Sequence, residues 1–466
     1  MTGPAIVENP GAALPATSSR AMAPPLGPPR PVAWPSRNAF RLPNGLQVVL
    51  VERRNFPRVR MELFFRSGNA VARLPGLAEM TATVVRAGTE NRSERQIDDD
   101  LRRMGADLGA SAGADTSAIA ISGISESLTG IIEMIFDLAR HASFPEGEFE
   151  RERRQRLEEL RVSRTTAGFL SGERLRHTLF GRHPYSRIAP TENELQAYRR
   201  EDLTSYYTEH YGPGEALFVA AGDFEVAHMR ELVEKHFTNW QSPAPMPSNT
   251  AAPPTLNGRK VYLVNLPGAV QAEILLGNRS ITRQHSDWRA LTLANSLFGG
   301  AFNSRLVMNI REQKGYTYSP RSSAHALRQY GYFSVHAAVR NEVTAATLTE
   351  MFYEMDRMRS LPVGADELAD AKNYMTGAFS LGVATLEGVM GQISSVYLDE
   401  MPEDYLETYR EKIQALTSED IMLAARRYFD SPNEQIIIVG DAAELRDQAA
   451  LFGEVEEWGA DGQRVA

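Results

Sequence analysis

Two hydrophobic rhythms alternate along the chain. Residues 46–52 (Leu-Gln-Val-Val-Leu-Val-Glu) and 59–66 (Val-Arg-Met-Glu-Leu-Phe-Phe-Arg) are rich in β-branched and aromatic side chains, the character of strands. Residues 76–86 and 93–104 read as helices, and strands return at 107–112 and 117–123. Several helices follow up to residue 211, and a strand at 216–223 and a helix at 226–237 complete the series. Strand pairs close in sequence, followed by runs of helices, predict an α+β domain with an antiparallel or mixed sheet.

The same order then repeats. Glu201-Asp-Leu-Thr-Ser-Tyr-Tyr-Thr-Glu-His-Tyr211 lies without a gap on Glu419-Asp-Ile-Met-Leu-Ala-Ala-Arg-Arg-Tyr-Phe429, and the buried run at 216–223 lies on 434–441. Asn44-Gly45 opens one strand and Asn257-Gly258 opens its counterpart. Each half is of ordinary domain size. The expected layout is a Pro-rich extended tail at 1–37, one domain at 38–240, a linker at 241–256 and a second domain at 257–455.

Within the second half, the run at 299–319 concentrates candidate chemistry. Leu306 and Ile310 lie four apart, as on one helix face, after Asn303 and Ser304, which suit a helix start. Gly315 can end that helix, and Tyr316-Thr317-Tyr318 has strand character. Arg311 and Tyr318 would then present a guanidinium and a phenol hydroxyl across one turn, two donors suited to an oxyanion that forms only in a transition state. Residue types alone also fit a plain corner, with Arg311 paired to a surface carboxylate and Tyr318 half-buried.

The sequence Gly299-Gly-Ala-Phe-Asn-Ser-Arg-Leu306, followed by Ile310-Arg-Glu-x-x-Gly-x-x-Tyr-Ser319, resembles the C-terminal-domain signature of the pitrilysin/insulinase family of zinc metallopeptidases. Similarity continues over most of 40–451. The resemblance implies paired α+β domains that face each other, or a partner's pair, like halves of a clam. It also implies that Arg311 and Tyr318 contact a substrate carbonyl at a zinc site in another domain. Active members carry His-x-x-Glu-His on a first-domain helix, where two imidazoles one turn apart grip zinc and the Glu serves as general base. This chain keeps the surrounding Gly76, Ala78, Gly88 and Thr89, but has Glu79 and Thr83 at the histidine positions and Ala82 at the base position. Glu159 falls where the third ligand lies; a neighbour such as Arg156 or Arg161 is its expected partner, the alternative being a residual weak metal site.

Two functional readings follow from the resemblance. In the first, this chain binds no metal and is inactive alone. It contributes Arg311 and Tyr318 to a zinc endopeptidase whose homologous partner subunit holds His-x-x-Glu-His and the zinc, with peptides as substrates. In the second, it is an inert scaffold or peptide-binding chamber of the same fold, like the core proteins of respiratory complexes or the non-catalytic subunit of mitochondrial processing peptidase.

Composition narrows the alternatives. The chain has 466 residues, 42% hydrophobic and 23% charged, the balance of a globular protein, and a net charge of -9 disfavours nucleic acid or anionic lipid as main partner. No apolar run is long enough to span a membrane. With no cysteine, disulfides, thiolate metal sites and cysteine nucleophiles are excluded together. The N-terminal stretch as it stands lacks the apolar core of a signal peptide, and because a cysteine-free chain suits either side of a bacterial inner membrane, cytoplasm and periplasm both stay open. The nine histidines show no further metal spacing, and His177, His183, His228 and His236 read as surface or structural. His183-Pro-Tyr-Ser186 resembles a family element lining the clam interior. Gly109-Ala-Ser-Ala-Gly113 matches a nucleophile elbow in letters only, because strand character follows it rather than a helix.

Overall fold

A computed structural model describes residues 32–241 and 251–465, and most of the proposed tail and linker therefore lies outside the described residues. Twelve strands form two six-stranded sheets. In chain order they are β1 (Asn38–Arg41), β2 (Gln47–Glu52), β3 (Arg58–Phe65), β4 (Asp107–Ala112), β5 (Ser117–Ile124), β6 (Ala216–Gly222), β7 (Lys260–Asn265), β8 (Gln271–Ser280), β9 (Arg321–Ala326), β10 (Gly331–Arg340), β11 (Gln435–Gly440) and β12 (Val455–Gly459). The first sheet runs β1-β2-β6-β3-β5-β4 and the second β12-β7-β11-β8-β10-β9.

Leaving out β1 and β12, the other five strands of each sheet have the same topology. β2 is parallel to β6 and β7 to β11, while β3, β5 and β4, like β8, β10 and β9, continue antiparallel. The repeat read from 216–223 and 434–441 thus puts β6 and β11 at equivalent places. The sheets differ at one edge. β1 adds antiparallel to β2 in the first, whereas β12, which runs past residue 455, adds parallel to β7 in the second.

Fifteen α-helices among the described residues pack on these sheets. They are α1 (Leu77–Val84), α2 (Glu94–Arg103), α3 (Leu128–His141), α4 (Glu146–Ser163), α5 (Ala167–Phe180), α6 (Glu192–Ala197), α7 (Arg200–His210), α8 (Val226–Phe237), α9 (Trp288–Asn295), α10 (Thr344–Ser360), α11 (Ala365–Leu381), α12 (Leu386–Leu398), α13 (Tyr405–Ala415), α14 (Ser418–Tyr428) and α15 (Ala442–Ala450). Ser93 caps α2 through a capping box with Gln96, as its position before the helical run suggests. None of the helices is long and apolar enough to cross a membrane.

Every residue of β6 and of β11 is buried, so both faces of each sheet are covered. One face is covered from within its own half. The other is covered from across the repeat. Val49, Val51, Leu217, Val219 and Ala221 of the first sheet pack against Phe379 of α11 and Val389, Met390, Ile393 and Val396 of α12. Tyr262, Val264, Ile437 and Val439 of the second pack against Leu170, Leu175, Leu179 and Phe180 of α5. Gly277 on β8 makes room for this, since a Cβ there would sit 2.8 Å from Leu175. The halves therefore exchange helices. Trp34, read from the sequence as part of the tail, packs on Phe379 with ring centroids 5.3 Å apart.

Candidate functional site

The Arg311 stretch lies between α9 and the outermost strand of the second sheet, β9. Leu306 and Ile310 are fully buried, as their spacing predicts. The segment Val307–Gln313 nevertheless winds as a π-helix rather than an ordinary α-helix, a geometry frequent at functional sites. A polar anchor fixes it. The buried Asn309 amide donates to Glu350 (2.9 Å) and Glu354 (2.8 Å) on α10, and Lys314 pairs with Glu350 at 3.1 Å. Gly315 takes φ +64°, while the amides of Gly315 and Tyr316 close back on the carbonyls of Arg311 and Ile310.

Two local expectations are corrected here. The Ser304 hydroxyl caps nothing: it is buried without a hydrogen-bond partner among the described residues. Tyr316, Thr317 and Tyr318 do not form a strand, because β9 begins only at Arg321, after Pro320, whose ring nitrogen has no hydrogen to give a ladder. The loop is held instead by Thr317, whose hydroxyl donates to the Ala338 carbonyl at 2.6 Å.

Arg311 and Tyr318 do meet. The guanidinium carbon lies 4.5 Å from the Tyr318 ring centroid and 4.8 Å from that of Phe302, and Arg311 Nε pairs with Glu312 at 3.1 Å. Tyr318 is 79% exposed, not half-buried, and Phe302 is 74% exposed. Among the described residues neither the Tyr318 hydroxyl nor the Nη groups of Arg311 hold an acceptor. Three N–H and O–H bearing groups thus stand at the surface on a rigid base. Phe302 was within the motif read from the sequence but was given no role there, because only the fold brings its ring to the guanidinium.

In the first half, Gly76 opens α1 in the left-handed region (φ +77°). A Cβ at Gly88 would press on Ser143 and Pro145, and the Thr89 hydroxyl donates to Asp137 at 2.8 Å while accepting from the amides of Asn91 and Arg92. Of the retained frame, Gly76, Gly88 and Thr89 therefore shape turns, while Ala78 is buried within α1. Between them, Ala82 is fully buried. Thr83 donates to the Glu79 carbonyl and accepts from Arg156 Nη2 of α4 at 2.9 Å. Arg156 Nε in turn bonds Glu152 at 2.6 Å. Burial raises the Glu79 carboxyl above its ordinary range, with Arg156 and Asn69 partly offsetting this.

Glu159 departs from expectation. Its carboxylate is exposed and accepts from Gln155 at 2.8 Å, while Arg156 is taken by Glu152, and Arg161 by Glu158 and Glu192. The exchange follows from reach to i+3 and i+4 within α4 and, for Arg161, to Glu192 at the start of α6. These side chains border a groove of about 490 Å³ lined by Thr83, Arg86, Glu148, Glu152, Arg156 and Glu159. Among the described residues no three His, Asp or Glu side chains are grouped so as to hold a metal ion, and a cationic guanidinium occupies the space between α1 and α4. The residues present do not fit zinc.

Two further sequence candidates are built into the fold. His183 is fully buried, accepting from the Tyr185 amide at 3.1 Å and meeting Gln329 at 3.0 Å, so it lines no open surface. Ser111 lies within β4, as expected.

Comparison with known proteins agrees with this architecture. Residues 47–189 match the family model described as insulinase (peptidase family M16), and residues 197–375 match the model described as peptidase M16 inactive domain. The chain is 24% identical over 403 residues to an uncharacterized zinc protease of Streptomyces coelicolor, covering 83% of this chain and 85% of that protein. It is 21% identical over 355 residues to the uncharacterized zinc protease YmxG of Bacillus subtilis, covering 75% and 85%. Among solved structures, a peptidase M16 inactive domain from Pseudomonas fluorescens superposes with TM-score 0.82 at 21% identity, covering 87% of this chain and 98% of that one. A protease from Helicobacter pylori superposes with TM-score 0.83 at 20% identity, covering 88% and 100%. Two models of one family, together spanning more than half of the sequence, and a shared fold place the chain in the M16 peptidase family.

Proposed function

We propose that this chain is the Arg/Tyr-bearing subunit of a heterodimeric zinc endopeptidase, completing in trans a site whose zinc and general base belong to a homologous partner. One contrast carries the reading. Arg311 and Tyr318 stand together at the surface with free donors on a buried anchor, whereas Glu79, Ala82 and Thr83 are knitted into the protein by burial and by Arg156.

The part assigned to this chain is electrostatic. As a peptide carbonyl becomes tetrahedral, negative charge gathers on its oxygen, and the Arg311 Nη groups and the Tyr318 hydroxyl would donate to it. Glu312 leaves this capacity intact because it engages Nε alone. Neither group changes protonation state in the step.

The test is to mix this chain with a homologue from its own host that retains His-x-x-Glu-His. Peptide hydrolysis is expected from the pair and from neither chain alone. A stable pair whose hydrolysis is indifferent to Arg311 and Tyr318 would favour the scaffold reading.

A further inference from the structure

A cavity of about 290 Å³ lies where α5 of the first half meets the C-terminal strand β12 of the second. Arg174, His177, Arg187, Thr191, Trp458 and Asp461 are among its walls. The Arg174 guanidinium carbon stacks 3.8 Å from the Trp458 ring centroid and 5.9 Å from that of Tyr262.

The charges around the cavity are unevenly matched. Arg164 is bound by both oxygens of Glu173, at 3.0 and 3.2 Å, and Arg187 is bound by Glu194 at 2.5 Å. Asp461 Oδ1 is occupied by the Gln463 amide in a turn closed by Gly462. Arg174 has neither hydrogen bond nor ion pair among the described residues. Its Nε is sealed without an acceptor, which leaves the Nη end to meet the cavity. Burial lowers its pKa from the usual arginine range, and Tyr262, Glu173 and Glu456 offset this only in part. A guanidinium in that condition is a two-pronged donor for a planar carboxylate.

We propose that this cavity binds a small organic monocarboxylate, its carboxylate on the Nη groups of Arg174 and its short apolar chain against Leu170, Val264 and Trp458. A dianion such as phosphate is disfavoured, because one cation is free while the carboxylates of Glu173 and Asp461 stand in the same wall. A volume of about 290 Å³ lies at the small end of ligand pockets and suits a small organic molecule.

The experiment uses the full chain and 3-methylbutanoate as probe, with its neutral amide, inorganic phosphate and chloride at matched ionic strength. Saturable thermal stabilisation by 3-methylbutanoate alone is expected, with at least ten-fold weaker binding to Arg174→Gln and Arg174→Lys. Saturation-transfer NMR on the unmutated chain reads contact with the ligand methyl groups directly, and so does not depend on a variant that folds. No transfer at millimolar probe overturns the proposal. So does an equal response to phosphate or chloride, or an unchanged response in a folded Arg174→Gln.

Discussion

Arg156 reaches from α4 to the Thr83 hydroxyl on α1 at 2.9 Å, joining the two helices that border the groove of the lost metal motif. A fixed positive charge therefore stands beside the very positions at which histidines would be restored. Placing His, Glu and His at 79, 82 and 83 is expected to leave zinc far below one per chain while Arg156 remains. Adding Arg156→Ala should raise it to about one, provided Glu159 turns from Gln155 to complete three protein ligands. Metal analysis of the two purified variants decides this. Equal zinc in both would remove Arg156 from the account.

Arg311→Ala and Tyr318→Phe should leave assembly with a His-x-x-Glu-His partner intact, since neither side chain holds the fold together. Turnover by the assembled pair should fall on the order of 10²- to 10³-fold for either change, the usual cost of one oxyanion donor. Steady-state kinetics at saturating partner measures it, and unchanged turnover would count against the role in trans.

Phe302→Leu removes one of the two rings against the Arg311 guanidinium. Surface cation–π contacts contribute about 0.5–1 kcal/mol, so a two- to five-fold loss of turnover is expected, much smaller than for Arg311→Ala. The accompanying sign is loss of the ring-current shift on the Arg311 side-chain NεH signal. If that shift disappears without any kinetic change, Phe302 positions nothing.

His325 gives a pH dependence with a definite sign. It stacks 4.2 Å from Tyr332 and contacts the Ser334 hydroxyl at 3.1 Å, and burial, aided by Arg176, pushes its pKa down to about 4. The folded chain thus favours the neutral ring over its unfolded pKa near 6.5. That stability is fully present above 6.5 and is lost as pH falls toward 4, by up to about 3 kcal/mol over the whole interval. His325→Gln should flatten the acid limb of the stability profile, read from urea midpoints at pH 7 and 4.5. An unaltered limb would mean the loss originates elsewhere.

The exchange of α5 and α12 predicts failure of the separated halves. Residues 32–241 alone would expose Val49, Val51, Leu217, Val219 and Ala221 to water, and residues 251–465 would expose Tyr262, Val264, Ile437 and Val439. Each fragment should be insoluble or bind a hydrophobic dye, while co-expression should restore a complex. A folded, monomeric first half by analytical ultracentrifugation would contradict this.

How much of this was legible in the sequence differs from element to element. The duplication was, because α7 with β6 and α14 with β11 repeat both pattern and spacing. The helix exchange is not legible there, although the continuous apolar runs of β6 and β11 require cover on both faces. Periodicity states that cover is needed and is silent on its source. The pairing of Arg311 with Tyr318 was readable, since both belong to one short turn. The π-winding was not, because it depends on Asn309 meeting Glu350 and Glu354 of α10, some forty residues further along. Spacing along α4 offers Arg156 only carboxylates of its own helix, such as Glu159. Its bond to Thr83 depends on how α4 packs on α1, a tertiary fact that i,i+4 spacing does not contain.

Because each sheet is roofed by a helix from the opposite repeat, parting the two repeats would strip apolar cover from both at once. An internal hinge between the repeats would therefore cost both of these buried apolar surfaces. If a peptide is to enter a chamber shared with a second subunit, the gap must open between the subunits, and the strength of their contact becomes the gate that sets access.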